Sequence, residues 1–192
     1  MMRPEIVAIG ASLGGLQAVA RILGGLPPGL PVPIVVVQHR GTGPDQGLVE
    51  LLQGHTGLAV VEGEDKALLA PGTVYVAASD YHLLVEAPGA IALSTDAPVR
   101  YARPSIDVLF ETVADAYGPA ALAVLLTGAS ADGAAGLARI KARGGRAVVQ
   151  DPATAACATM PAAGIAAAEV DDILPLDRIG AHIVALVEGR RT

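Results

Sequence analysis

The chain has 192 residues, of which 52% are hydrophobic and only 3% aromatic, and its formal net charge is −6. This length suits one domain over residues 1–192, with a sizeable core of Ala, Val, Leu and Ile side chains. The acidic balance argues against a nucleic acid partner, for which a basic face would be expected. The single cysteine, Cys157, excludes an internal disulfide, and no cluster of thiols indicates a zinc site.

Two further features indicate a cytoplasmic protein. The N-terminus carries Arg3 and Glu5 ahead of a strand-like run, which is not the pattern of a secretory signal peptide. No apolar run reaches the ~20 residues that a membrane-spanning helix needs. We therefore expect neither secretion nor insertion into a membrane.

Strand-like and helix-like patterns alternate along the whole chain. In chain order the predicted elements are strand Ile6–Ile9, helix Leu16–Leu23, strand Ile34–Val37, helix Asp45–Gln53, strands Ala59–Glu62, Thr73–Ala77, His82–Glu86 and Ala90–Ser94, helix Ser105–Tyr117, strand Ala121–Leu126, helix Gly133–Ala142, strands Arg146–Gln150 and Val170–Leu174, and helix Asp177–Val187. This alternation predicts an α/β fold with a doubly wound, mostly parallel sheet and helices on both faces. The three short strands between residues 73 and 94 predict a small antiparallel β-hairpin excursion.

The first strand ends in a glycine-rich turn with a serine at its tip. Gly10 to Gly14 spell G-x-S-x-G, and Ser12 stands between a strand and a helix, where activated nucleophiles are found. The N–H groups of the following turn point toward negative charge that develops there. Helix capping is the alternative role for Ser12, since serine is a favoured cap.

Two more predicted strands also end in reactive side chains. His39 follows Ile34–Val37, and Asp132 lies in the loop after Ala121–Leu126. Because the carboxyl ends of parallel strands meet at one edge of the sheet, Ser12, His39 and Asp132 should come together there. Imidazole can take the serine proton, and a carboxylate can orient the imidazole. This predicts a Ser-His-Asp hydrolase site, although a structural role for His39 and a capping role for Asp132 remain open.

Two familiar sites are excluded by the order and identity of these residues. The α/β-hydrolase fold places its nucleophile after several strands and its acid before its histidine, whereas here Ser12 follows the first strand and His39 precedes Asp132. A dinucleotide-binding turn needs a glycine at the position of Ser12, and there is no P-loop lysine.

Five motifs, in the same order, resemble the catalytic domain of the CheB family, the chemotaxis protein-glutamate methylesterases. They are Ile9-Gly10-Ala11-Ser12 with Gly14-Gly15, Gln38-His39, Pro71-Gly72 with Tyr75-Val76-Ala77, Arg103 to Phe110, and Leu126-Thr127-Gly128 with Asp132 to Gly136. The resemblance implies hydrolysis of γ-glutamyl methyl esters on the cytoplasmic domains of methyl-accepting chemoreceptors, with release of methanol. It also implies possible deamidation of glutamines and no metal or organic cofactor.

The same resemblance implies roles for individual residues. Ser12 is the expected nucleophile, His39 the base and Asp132 its orienting acid, while backbone N–H groups near Leu13, Gly14 and Ala129 are candidates for the oxyanion hole. Members of the family commonly carry a phosphorylatable receiver domain, and none is expected within residues 1–192, so a separate regulatory receiver protein is a possible partner.

Several residues depart from the pattern of the family. Leu13 stands where threonine is usual, and Ala129 and Ala131 replace a methionine and an asparagine. Arg40 follows the histidine where an apolar residue is common; it could grip an acidic receptor surface, act on His39 or be solvated, with solvation the default. Two alternative functions therefore stay open: a catalytically weak domain that binds a signalling partner, and a small-molecule carboxylesterase.

Overall fold

The computed structural model describes residues 2–40 and 47–190. The strands are β1 (Ile6–Ala11), β2 (Ile34–Gln38), β3 (Ala59–Glu62), β4 (Thr73–Val76), β5 (His82–Glu86), β6 (Ala90–Ser94), β7 (Ala121–Leu125), β8 (Arg146–Gln150) and β9 (Asp172–Leu174). The helices are α1 (Gly15–Gly24), α2 (Leu48–Gln53), α3 (Ile106–Tyr117), α4 (Ala134–Ala142), α5 (Thr159–Ala167) and α6 (Leu176–Glu188).

Among the described residues, seven strands form one parallel sheet in the order β3-β4-β2-β1-β7-β8-β9. The chain leaves β1 toward β2 on one side and later returns to β7 on the other side. The strand order therefore reverses between β1 and β7, and in such sheets the crevice beyond the carboxyl ends of the strands at the reversal is the usual site of chemistry. Strands β5 and β6 pair separately as an antiparallel hairpin.

Side chains alternate between the two faces of the central strands, and in the described parts of the chain three helices cover each face. Val7 and Ile9 of β1 pack into a core with α1, α2 and α6, whereas Ile6 and Ala8 face a second core formed with α3, α4, α5 and the β5–β6 hairpin. The near-continuous apolar runs of β1, β2 and β7 follow from this two-sided burial. The predicted doubly wound fold class and its small antiparallel hairpin are confirmed.

Two details of the prediction are wrong. Strand β4 does not belong to the antiparallel excursion: it pairs in parallel with both β2 and β3 in the main sheet. Helix α5 was not predicted, because Pro161 and Gly164 both argue against a helix. Pro161 lies in its first turn, where no N–H is needed, and a Cβ at Gly164 would come within 2.7 Å of Leu125 Cδ2.

The beginning of the predicted helix Asp45–Gln53 lies outside the described residues, within which α2 begins at Leu48. Between residues 2–40 and 47–190, no helix is both long enough and apolar enough to cross a membrane.

Candidate active site

Ser12 follows directly after β1, and its backbone is held by the loop after β7. The Ser12 N–H donates to the Thr127 carbonyl at 2.9 Å, and the Thr127 hydroxyl donates to the Leu13 carbonyl at 2.9 Å. Gly14 then takes a left-handed conformation with φ of 76°, and a Cβ there would lie 2.5 Å from the Ala156 Cβ. Only glycine fits this position, so the turn that presents Ser12 is fixed by both sterics and hydrogen bonds.

His39 lies next to Ser12 because β1 and β2 are neighbours in register, with Ala11 opposite Gln38. The His39 N–H donates to the Ala11 carbonyl at 2.9 Å. The Gln38 amide donates to the carbonyls of both Ser12 and His39, each at 2.8 Å. Gln38 thus ties the two turns together, a role that sequence reasoning missed although a polar residue at the end of a buried strand was a visible signal.

Ser12 and His39 line the same cavity, which has a volume of about 680 Å³. Leu13, Gly14 and Ser130 also line it. The loop after β7 approaches the serine closely, since a Cβ at Gly128 would lie 2.8 Å from the Ser12 Cβ.

Asp132 is fully buried beneath this cavity and accepts four hydrogen bonds. Its donors are His39 Nε2 at 2.7 Å, the Ile106 N–H at 2.7 Å, the Ser105 hydroxyl at 2.8 Å and the Asp107 N–H at 3.0 Å. Burial alone would raise the pKa of Asp132, but the hydrogen bonds from His39 and the three other donors outweigh it, and the pKa is lowered. An ionised carboxylate only accepts, so His39 Nε2 carries a proton and Nδ1 is the ring nitrogen left to act as a base.

Asp132 and Asp107 cap each other's helices. Asp132 lies one residue before Gly133, the N-cap of α4, yet its carboxylate binds N–H groups at the N-terminus of α3. In return Asp107, in the first turn of α3, accepts from the N–H groups of Gly133 and Gly136 at the start of α4, both at 2.8 Å. The capping role considered for Asp132 is therefore correct in kind but applies to α3. Within the Arg103 to Phe110 motif, the Ser105 hydroxyl and the N–H groups of Ile106 and Asp107 therefore hold the acid.

Asp107 was not singled out from the sequence, although it is nearly fully buried beside Asp132. Burial raises the pKa of Asp107, and the negative charge of Asp132 adds to this, while the N–H groups of Gly136 and Gly133 and the Arg100 guanidinium oppose it.

The reciprocal cap predicts a difference between two substitutions of Asp107. D107A leaves two buried N–H groups without an acceptor, so we expect a loss of about 2–4 kcal/mol in the free energy of unfolding. D107N keeps an oxygen opposite both N–H groups and removes a charge that burial disfavours. It loses only the 3.3 Å bond from the half-exposed Arg100, so its loss should stay below about 1 kcal/mol. Urea denaturation measures both, and equal losses would contradict the capping role.

The remaining predicted site residues fall into two groups. The backbone N–H groups of Leu13, Gly14 and Ala129 donate to no residue within the described parts of the chain, so they are available to a developing oxyanion. Arg40 also lines the cavity, but its side chain is only 13% exposed and donates to the Ala77 carbonyl at 3.0 Å. The default interpretation of Arg40 as a solvated residue is therefore wrong.

Two other histidines have structural partners of their own. His82 is buried, with Nε2 at 3.2 Å from the Ala97 carbonyl and Nδ1 accepting from the Ser105 N–H at 3.2 Å. His182, in α6, lies 2.9 Å from Asp172 at the start of the edge strand β9. Within residues 2–40 and 47–190, no group of three or more His, Cys, Asp or Glu side chains is arranged to hold a metal ion.

A serine beside a histidine–aspartate pair, at the carboxyl edge of a doubly wound parallel sheet, is the arrangement expected of a hydrolase of the serine type. Comparison with known proteins narrows this class. The sequence model described as CheB methylesterase matches residues 7–183. The crystal structure of the Thermotoga maritima CheB methylesterase catalytic domain superposes with a TM-score of 0.91 at 34% identity, covering 97% of this chain and 100% of that one. The chain belongs to the CheB methylesterase family.

Curated relatives agree with this assignment. A Leptospira interrogans protein, provisionally named a protein-glutamate methylesterase/protein-glutamine glutaminase, is 43% identical over 185 residues that cover 96% of each chain. The protein-glutamate methylesterase FrzG of Myxococcus xanthus is 42% identical over 183 residues, which are 95% of this chain and 55% of FrzG. The predicted family is confirmed, while the catalytic roles of Ser12, His39 and Asp132 stay predictions.

Proposed function

We propose that this chain is a protein-glutamate methylesterase that uses Ser12, His39 and Asp132 to hydrolyse γ-glutamyl methyl esters on the cytoplasmic domains of chemoreceptors. The observation that carries the proposal is the 2.7 Å contact between His39 Nε2 and the buried Asp132 carboxylate, beside Ser12 in one cavity. The names of the relatives support the same activity.

The first half of the proposed reaction forms an acyl-enzyme. The Ser12 hydroxyl oxygen bonds to the ester carbonyl carbon while His39 Nδ1 takes the hydroxyl proton. When the tetrahedral intermediate collapses, the bond between the carbonyl carbon and the methoxy oxygen breaks, and the imidazolium returns its proton to release methanol. Asp132 stays ionised throughout, since its pKa is lowered, and stabilises the imidazolium.

The second half repeats these steps with water. His39 takes a proton from water as the hydroxide oxygen bonds to the acyl carbon, and it then returns the proton to Ser12 as the ester bond to the enzyme breaks. The product is a glutamate side chain. In both halves the N–H groups of Leu13 and Ala129 are the proposed donors to the oxyanion, and losing one such donor typically costs about 3 kcal/mol of transition-state stabilisation.

A glutamine side chain can be hydrolysed by the same steps, with ammonia leaving in place of methanol. The relatives named protein-glutamine glutaminase support this second activity for the same site.

We further propose that the chain is one catalytic domain that acts in the cytoplasm on chemoreceptors, with a receiver protein as its regulator.

A comparison of substrates tests the proposed function against its alternatives. We expect kcat/KM for a methylated chemoreceptor cytoplasmic fragment to exceed kcat/KM for a small glutamate γ-methyl ester, because contacts remote from the ester add transition-state binding. Equal values would favour a small-molecule carboxylesterase. Failure of a serine-directed reagent to label Ser12, with no methanol released from either ester, would favour a binding domain.

A further inference from the structure

A tight turn at the rim of the active-site cavity presents an aromatic side chain entirely to solvent. Val99 and Ala102 exchange backbone hydrogen bonds of 3.1 and 2.8 Å, so Arg100 and Tyr101 are the two central residues of a two-residue turn. Tyr101 has 104% relative exposure and lines the cavity that holds Ser12. A bulky aromatic in this position buries no apolar surface within the chain.

The backbone of this turn is held in an unfavourable conformation. Arg100 and Tyr101 have φ of 47° and 65°, in the left-handed region that residues with a Cβ seldom adopt. Turns with two such residues favour Asn-Gly or Asp-Gly. Placing Arg and Tyr there costs conformational free energy, and Tyr101 recovers none of it by packing.

The turn is also anchored on both sides, so the position of Tyr101 does not result from a loose loop. Arg100 Nε donates to the Asp107 carboxylate at 3.3 Å. Arg103 donates to Asp80 at 2.7 Å and to the carbonyls of Thr95 and Asp96 at 2.8 and 3.0 Å. Of the two central residues, the half-exposed Arg100 therefore has a side-chain partner in the chain, whereas Tyr101 projects into solvent.

A second apolar side chain lies on the same rim. Leu13, next to the nucleophile, is 61% exposed and lines the same cavity as Tyr101. The Thr127 hydroxyl donates to the Leu13 carbonyl, so the backbone that carries this exposed side chain is held in place. Exposed aromatic and aliphatic side chains on a rigid frame are typical anchors of a protein interface.

We propose that Tyr101 is a specificity-determining residue that contacts the polypeptide on either side of the methyl-esterified glutamate, with Leu13 completing the apolar rim. This inference rests on the proposed methylesterase function and adds the contact that distinguishes a protein ester from a small one. The strained turn then has a reason, because it positions an aromatic anchor before the substrate arrives.

The experiment compares two substrates in four proteins. The readout is the ratio of kcat/KM for a methylated chemoreceptor fragment to kcat/KM for a small glutamate γ-methyl ester. We expect Y101N to lower this ratio at least about tenfold. Because asparagine tolerates the left-handed conformation, the melting temperature of Y101N should not fall. Y101F keeps the aromatic ring and should keep the ratio within about twofold of wild type.

L68A is the matched control, since Leu68 is another exposed apolar residue and does not line this cavity, and its ratio should not change. A general structural defect would lower both kcat/KM values together and leave the ratio unchanged. A ratio for Y101N within about twofold of wild type, in an enzyme whose wild type hydrolyses both esters, overturns the role of Tyr101 alone. Absence of methanol release from wild type overturns the methylesterase proposal and this inference with it.

Discussion

Replacing Ser12 with alanine is expected to lower methanol release from a methylated chemoreceptor fragment by about 10⁴- to 10⁶-fold, to the background rate. The hydroxyl oxygen is the only heavy atom lost, and without it no acyl-enzyme can form. Residue 12 keeps its hydrogen bonds to Thr127 and to the Gln38 side chain, because it makes both with its own main-chain N–H and carbonyl groups. S12A should therefore fold normally, with its free energy of unfolding within about 0.5 kcal/mol of wild type.

The measurement is a methanol assay at saturating substrate, with urea denaturation of the same preparations. S94A is a matched control, because Ser94 lies in β6 and does not line the cavity. Methanol release by S12A at the wild-type rate would remove Ser12 from the mechanism.

Asparagine at position 132 is expected to damage both catalysis and stability. An amide has one acceptor oxygen, so its NH₂ group would face either His39 and the Ile106 N–H or the Ser105 hydroxyl and the Asp107 N–H. Either orientation sets donors against donors in a fully buried place, and we expect a loss of about 2–4 kcal/mol in the free energy of unfolding. The tautomer of His39 is no longer fixed, so kcat should fall about 10⁴-fold, as for this change in other serine triads.

The pH dependence of stability gives a separate signature of the Asp132 charge. Hydrogen bonds in the folded state lower the pKa of Asp132, so the folded state binds fewer protons there than the unfolded state does. Its contribution to stability is fully present above the ordinary aspartate pKa of ~3.9 and is lost as the pH falls through the lowered value. D132N lacks this contribution, so its free energy of unfolding should fall less steeply below about pH 4. Parallel slopes for wild type and D132N in urea titrations would contradict the assigned ionisation.

The sequence was sufficient to predict that the three reactive residues lie close together. Ser12, His39 and Asp132 each follow an apolar run, and once those runs are taken as parallel strands, their carboxyl ends must share an edge. The separate antiparallel hairpin was also visible, because β5 and β6 are brief strand-like runs with turn residues between them.

The partners of Asp132 were beyond local patterns. The helix dipole favours an acidic residue in the first turn of any helix, so Asp107 gives no special signal. Nothing near it in sequence shows that it accepts hydrogen bonds from the N–H groups of Gly133 and Gly136. Strand β4 was assigned to the wrong sheet for a similar reason. Its four residues indicate a strand but do not indicate which strands it pairs with.

An inactive variant that still binds its substrate needs a substitution that leaves the fold intact. The reciprocal cap limits which of the three predicted residues can be replaced. Removing the carboxylate of Asp132 releases the start of α3, and replacing His39 leaves a buried negative charge without its partner. The Ser12 side chain makes neither of these contacts, so its substitution leaves both the cap of α3 and the pairing of Asp132 with His39 intact. A stalled complex with a methylated receptor, for affinity capture or crystallisation, is therefore best built on S12A.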